Sequence, residues 1–216
     1  MAAGDRTEDI RWVDGIPQSG LTRHQVRALT AWHEAAHGVI GWTYGLELAY
    51  IAIDGSDGVP ADAGGYTAWQ AESFQHATWQ QVAWTLAAGE RAADRWLREA
   101  GLWTPALGWI CEYSGEDDRA MAAALARDLP RPVHVTWGTS SSLADWHVIC
   151  RQTDQLLDAR WSAVCAAARY LLEHGRIEPD QITAFTRDLE VQRHCRPGRH
   201  HDGPASTSTP HRKAKP

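Results

Sequence analysis

Lysine is almost absent from this 216-residue chain: its only two, Lys213 and Lys215, stand among the last four residues. A phosphate-binding loop of the form G-x-x-x-x-G-K-[ST] needs a lysine on the phosphates, so ATP-driven work of that kind is not expected from this polypeptide. Phenylalanine is equally scarce, and 12 tryptophans carry most of the aromatic content. Their expected place is core and rim packing. No run of 18 apolar residues occurs, which predicts a chain with no membrane span. Residues 1–20 are polar and acidic, without the charged-then-apolar order of an export signal. The four cysteines, at 111, 150, 165 and 195, contain no C-x-x-C pair. Reduced thiols in a soluble, cytoplasmic protein are the expectation.

The net charge of −6 is uneven. From Arg193 onward six Lys or Arg stand against one Asp, so the tail carries +5 and residues 1–192 carry −11. An acidic body excludes general nucleic-acid binding. A hydrophobic content of 44% suits a packed domain of ordinary size. The expected division is a polar N-terminal segment at 1–20, one domain at 21–192, and a basic disordered tail at 193–216, where Pro, Gly, Ser and Thr accumulate.

Within that domain His33-Glu34-Ala35-Ala36-His37 is the stretch richest in chemistry. Residues i and i+4 of a helix lie one above the other, so two imidazoles at this spacing can reach one tetrahedral Zn²⁺. Glu34 is offset around the helix. It can sit beside the metal without ligating it, take a proton from the attacking water and pass it to a leaving amine. With 11 His and 11 Glu in the chain, random placement yields only about 0.03 such motifs. The surroundings read as a helix of roughly 20 residues, with a capping box at Thr22 and Gln25 and an end at Gly45. Val26, Leu29, Trp32, Ala36, Val39 and Ile40 supply an apolar face to bury.

Further along, Glu47–Asp54 is β-prone, 55–65 reads as a Gly/Asp/Pro loop, and Gly65–Trp69 reads as a returning strand whose edge could hold an extended peptide. Helical pattern runs from about Ser73 to Ala100. Residues 102–114 read as an irregular connection. A helix follows from Ser114 or Glu116 to Leu129, then a long helical stretch, preceded by Thr139–Ser142, to about His174, and a short one from Pro179 to near Val191. The fold class expected is α+β, predominantly helical, with a small sheet beside the motif helix and a helical C-terminal region.

A catalytic zinc usually has three protein ligands. Residue type and periodicity leave Glu90, Asp94, Glu112, Glu116, Asp117, Asp118 and His147 as candidates for the third.

Five segments, in order over roughly 22–190, resemble the peptidase domain of the FtsH-type AAA+ zinc metalloproteases. Leu29–Trp42 (LTAWHEAAHGVIGW) resembles that family's AYHEAGHA helix, and Gly65-Tyr66-Thr67 its GYT strand. Leu86–Asp94 (LAAGERAAD) resembles LAGRAAE, and Gly115–Arg127 (GEDDRAMAAALAR) resembles GASNDLERATEIAR. Leu171–Ile182 (LLEHGRIEPDQI) resembles LLEKETLDGEEI. The resemblance implies a zincin-like metallopeptidase domain with metal ligands His33, His37 and Asp118, catalytic Glu34, and a substrate strand including Gly65, Tyr66 and Thr67. Aligning Ala122 and Ala126-Arg127 selects Asp118, with Asp117 the adjacent alternative.

Two departures stand out. Ala36 occupies the motif position where the family usually has Gly, and Arg119-Ala120 replaces the Leu-Glu after its ligand Asp. The family's ATPase module and membrane anchor have no counterpart in this sequence, which puts processive degradation and hexameric assembly in question. The function implied is a zinc-dependent, ATP-independent endopeptidase acting on flexible or unfolded polypeptides. A metal-stabilised, non-catalytic peptide-binding or adaptor domain is the alternative, and metal handling by the His-containing tail a third. Homo-oligomerisation and a separate ATPase partner are left open.

Overall fold

The computed structural model describes the backbone at residues 12–13, 16–17, 20–53, 64–138 and 140–194. The rest of the polar segment before Gly20, most of the 55–65 loop and the tail beyond His194 lie outside the described residues. Two short strands, β1 (Trp12–Val13) and β2 (Ile16–Pro17), pair antiparallel ahead of the main body. Then come α1 (Arg23–Thr43), β3 (Leu48–Ile53), β4 (Gly65–Trp69), a 3₁₀ turn at Ala71–Gln75, and α2 (Trp79–Glu99). The chain continues through α3 (Pro105–Ser114), α4 (Glu116–Arg127), α5 (Trp146–His174), β5 (Arg176–Ile177) and α6 (Pro179–His194). The fold is α+β and predominantly helical. Among the described residues no helix is long and apolar enough to cross a membrane.

Helix α1 begins where its sequence signals it. Thr22 Oγ1 accepts from the Gln25 backbone N–H at 3.3 Å, and Gln25 Oε1 accepts from the Thr22 N–H at 2.8 Å, so two otherwise orphaned donors are satisfied. Its second half runs through the centre of the molecule against α2, α5 and β3. Small residues allow that close approach. Ala31, Ala35 and Ala36 are fully buried, and a Cβ at Gly38 would collide with the Ile51 side chain. Around them Ile40, Ile51, Ile53, Leu157, Leu171 and Ile182 are at most 1% exposed. Each such side chain contributes about 1.5–3 kcal/mol by leaving water.

The sheet beside α1 has the order β4-β3-β5, antiparallel throughout. Strands β3 and β4 pair from Ile53 opposite Gly65 to Leu48 opposite Trp69, with an irregularity between Leu48 and Tyr50. The third strand was not expected. Gly175, with φ 76°, ends α5 in a left-handed turn that no β-carbon obstructs, and the chain then reverses onto β3. Two residues carry too little periodicity to read as a strand. Their register is set by Ile177, fully buried opposite Ile51.

Two helical expectations need correction. Residues 102–114 are not an irregular connection, because 105–114 form α3. Pro105 occupies its first turn, where a missing N–H costs nothing, Thr104 Oγ1 accepts from Leu107 N–H, and Leu107 and Cys111 bury one face. Helix α2 starts at Trp79 rather than near Ser73, because Thr78 and Gln81 make a second capping box. Helix α5 starts at Trp146, after the expected 139–142 stretch, and ends at His174. Its cap, Asp145, is fully buried and accepts from Thr136 Oγ1, Gly138 N–H, Ser140 N–H and His147 N–H, which turns the preceding stretch into a loop.

Candidate metal centre

Helix α1 presents His33 and His37 one turn apart toward α2 and α4, and α4 presents Asp118 from its first turn. The two Nε2 atoms are 3.0 Å apart, and Asp118 Oδ2 lies 3.3 Å from His33 Nε2 and 3.2 Å from His37 Nε2. Bonds of about 2.0–2.1 Å in a tetrahedron separate neighbouring donors by about 3.3 Å, so these atoms already form a triangle of the size one tetrahedral face requires. Two imidazole nitrogens and one carboxylate oxygen thus make a group that can hold a metal ion. The side chains of His33, His37 and Asp118 are 12%, 7% and 20% exposed, which leaves access from one side.

The ring orientations suit ligation. His37 Nδ1 lies 2.7 Å from the Thr85 carbonyl, and since a carbonyl can only accept, Nδ1 carries the hydrogen. Neutral His37 is therefore held in the tautomer whose Nε2 lone pair faces the cluster. Helix α2 passes directly against the ring nitrogens: a Cβ at Gly89 would collide with Nε2 of both histidines. Without a cation the cluster holds a proton instead. Burial pushes the His37 imidazole down, but the adjacent Asp118 carboxylate outweighs it and raises the group to about 9. Burial likewise opposes ionisation of Asp118, yet the His37 and His33 imidazoles hold its carboxyl well below the usual range.

Glu34, 8% exposed, lies on the same helix and faces the sheet. Thr67 Oγ1 lies 2.7 Å from Glu34 Oε2 and 3.2 Å from the Glu34 carbonyl oxygen, so the strand hydroxyl orients the carboxylate. Gly65 sits against it as well, where a Cβ would fall 2.7 Å from Glu34 Cγ and 2.6 Å from Thr30 Cγ2. Tyr66 points to the other face, exposed and beside Tyr50 with ring centroids 6.3 Å apart. So of the three residues expected on a substrate strand, two have side-chain positions facing Glu34. No described residue pairs with the outer edge of β4.

The remaining acidic and imidazole candidates lie elsewhere. Glu112, Glu116, Asp117 and His147 are exposed. Asp94 accepts from Arg98 and from Trp103 Nε1. Glu90 is buried and paired with Arg119. Both departures from the family pattern have a place: Ala36 is fully buried against the core, and Arg119 serves this ion pair. Residue type and spacing gave no sign of Thr85, Gly89 or the Glu90–Arg119 pair, because each acts through an approach between separate elements. The described cysteines, Cys111, Cys150 and Cys165, form no disulfide.

The chain matches no protein-family model, and a search of curated proteins finds no match. The site and fold define a predominantly helical α+β protein with a His-His-Asp group able to hold a metal ion.

Proposed function

We propose that this protein is a zinc-dependent, ATP-independent endopeptidase, with a zincin-like fold akin to FtsH-type peptidase domains, that hydrolyses peptide bonds in flexible or unfolded polypeptides. The observation that carries the reading is the convergence of His33, His37 and Asp118 within 4.8 Å beside a buried, oriented Glu34. A structural zinc site closes its coordination with four protein ligands, whereas three ligands and one open face suit catalysis. Two imidazoles and one carboxylate also favour zinc over the all-oxygen environments that magnesium or calcium takes.

Zinc, when bound, polarises the scissile carbonyl and brings the pKa of a water to about 7. The chain's own residues do the rest. Glu34 accepts the proton of the attacking water and returns it to the departing amine, a role typically worth about 10²–10⁴ in rate. Thr67 donates to Glu34 Oε2, which restrains the carboxylate against β4. An extended substrate laid along the outer edge of β4 gains backbone hydrogen bonds one strand away from Glu34.

The deciding comparison is Glu34→Gln in the full chain. The variant is expected to keep zinc and to lose hydrolysis of casein or a peptide library by about 10²-fold or more. Cleavage at the wild-type rate by Glu34→Gln would sink the mechanism. Zinc-loaded wild type that binds peptides without turnover would sink the endopeptidase reading.

A further inference from the structure

Helix α2 reaches both α1 and α4, the two helices that carry the metal-holding group, with two consecutive residues. Gly89 abuts the Nε2 atoms of His33 and His37, and Glu90, turned about a third of the way around the helix, reaches α4. Glu90 is 5% exposed and is not one of the metal-holding group. Its Oε2 accepts from Arg119 Nη1 at 2.5 Å, and its Oε1 accepts from Trp146 Nε1 at 3.1 Å and Cys150 Sγ at 3.2 Å. Burial raises the Cys150 thiol well above its usual value, so it stays protonated and able to donate. The start of α4 rests on the same carboxylate: a Cβ at Gly115 would lie 2.6 Å from Glu90 Oε2.

Helix α4 needs such an anchor. Its N-cap is Gly115, which offers no side-chain cap, and only Ala122 and Ala126 are buried along its 12 residues. Asp118 immediately precedes Arg119. A buried ion pair is weak evidence for stability, because well-packed apolar residues of similar volume do as well or better. One that ties the ligand-bearing turn to the helix packed against the imidazoles has a positional use.

We infer that Glu90 and Arg119 are positioning residues for the metal: they hold the first turn of α4 against α2 so that Asp118 meets His33 and His37 at ligand spacing. The inference rests on the zinc reading of the site but not on peptide hydrolysis. Outer partners that orient a ligand typically govern metal affinity by 10–100-fold without touching the ion.

The test measures Zn²⁺ affinity of the full chain by competition with a chromophoric chelator, together with the visible spectrum after Co²⁺ loading. Glu90→Gln and Arg119→Met are each expected to weaken Zn²⁺ binding about 10–100-fold and to change the Co²⁺ spectrum, with Arg119→Lys restoring part of the affinity. In an Asp118→Ala background Glu90→Gln is expected to have no further effect, because the ligand it positions is gone. Should Glu90→Gln fail to fold, Arg119→Met at the more accessible end of the pair carries the same comparison. Affinity within about twofold of wild type, or an equal loss in the Asp118→Ala background, overturns the inference. Tight Zn²⁺ binding without hydrolysis would remove the peptidase reading and leave this inference standing. Hydrolysis with unchanged affinity in Glu90→Gln would remove this inference alone.

Discussion

Helices α1 and α4 both supply donors to one site, and they are held in different ways. Helix α1 has a complete capping box and buries 11 of its 21 residues, among them His37 and Glu34. Helix α4 has a glycine N-cap and buries two of its 12 residues. Apolar burial is cumulative and non-directional, so α1 is placed by many small terms that no single exposed change removes. The first turn of α4 depends on a few polar contacts whose value falls off steeply with geometry. Two imidazoles on a rigid core element and one carboxylate on a lightly held helix give a site whose histidine side is robust and whose aspartate side is adjustable.

The strongest way to break this comparison is to remove a donor from each side. His33→Ala and Asp118→Ala are both expected to reduce zinc from about one per chain to near zero after dialysis, since three protein ligands are the minimum for a catalytic-type site. Metal analysis of the purified variants checks this. Retention of stoichiometric zinc by either would take that residue out of the ligand set.

A smaller effect should separate the helices. Stripping the metal with a chelator is expected to speed amide hydrogen exchange in the first turns of α4 by about tenfold or more, with the second half of α1 changing by less than about threefold. Exchange that rises equally in both would mean the two helices open as one unit and erase the distinction.

The most modest effect is in pH. The folded, metal-free chain holds a proton on His37, whose group is raised from 6.5 to about 9. That proton's stabilising contribution is fully present below pH 6.5 and is lost as pH rises through 9. A cation must displace it, so zinc uptake at pH 7–8 should release about one proton, and apparent affinity should rise about tenfold per pH unit until it levels off near pH 9. Calorimetric titrations in buffers of different ionisation enthalpy measure the count. Uptake with no proton release at pH 7 would show that His37 is neutral before the metal arrives.

Much of the scaffold is legible residue by residue. Thr22 and Gln25 mark the start of α1, alternating β-prone residues mark β3 and β4, and Pro179 marks the start of α6. Thr78 with Gln81 and Thr104 with Pro105 are also local cap signals, and reading them would have placed α2 and α3 correctly; Asp145 likewise marks the first turn of α5. Strand β5 is different. It exists because Ile177 has a buried slot opposite Ile51, and no pattern of two residues announces a slot on another element.

The site divides along the same line. His33, Glu34 and His37 belong to one helix, and the 3.6-residue turn alone puts the imidazoles on one face and the carboxylate beside them, so the sequence by itself determined this much. It also held several carboxylates and one further histidine that could have served as the third donor, and only resemblance singled out Asp118. The tertiary structure decided the rest by bringing separate elements within contact distance. It set Asp118 against both imidazoles, the Thr85 carbonyl behind His37, Thr67 on Glu34, Gly89 against the ligand nitrogens, and Glu90 on Arg119, 29 residues away. Local periodicity orders residues along one helix. Which atoms meet across helices depends on how α1, α2 and α4 pack, and that packing is set by the summed burial of the whole core.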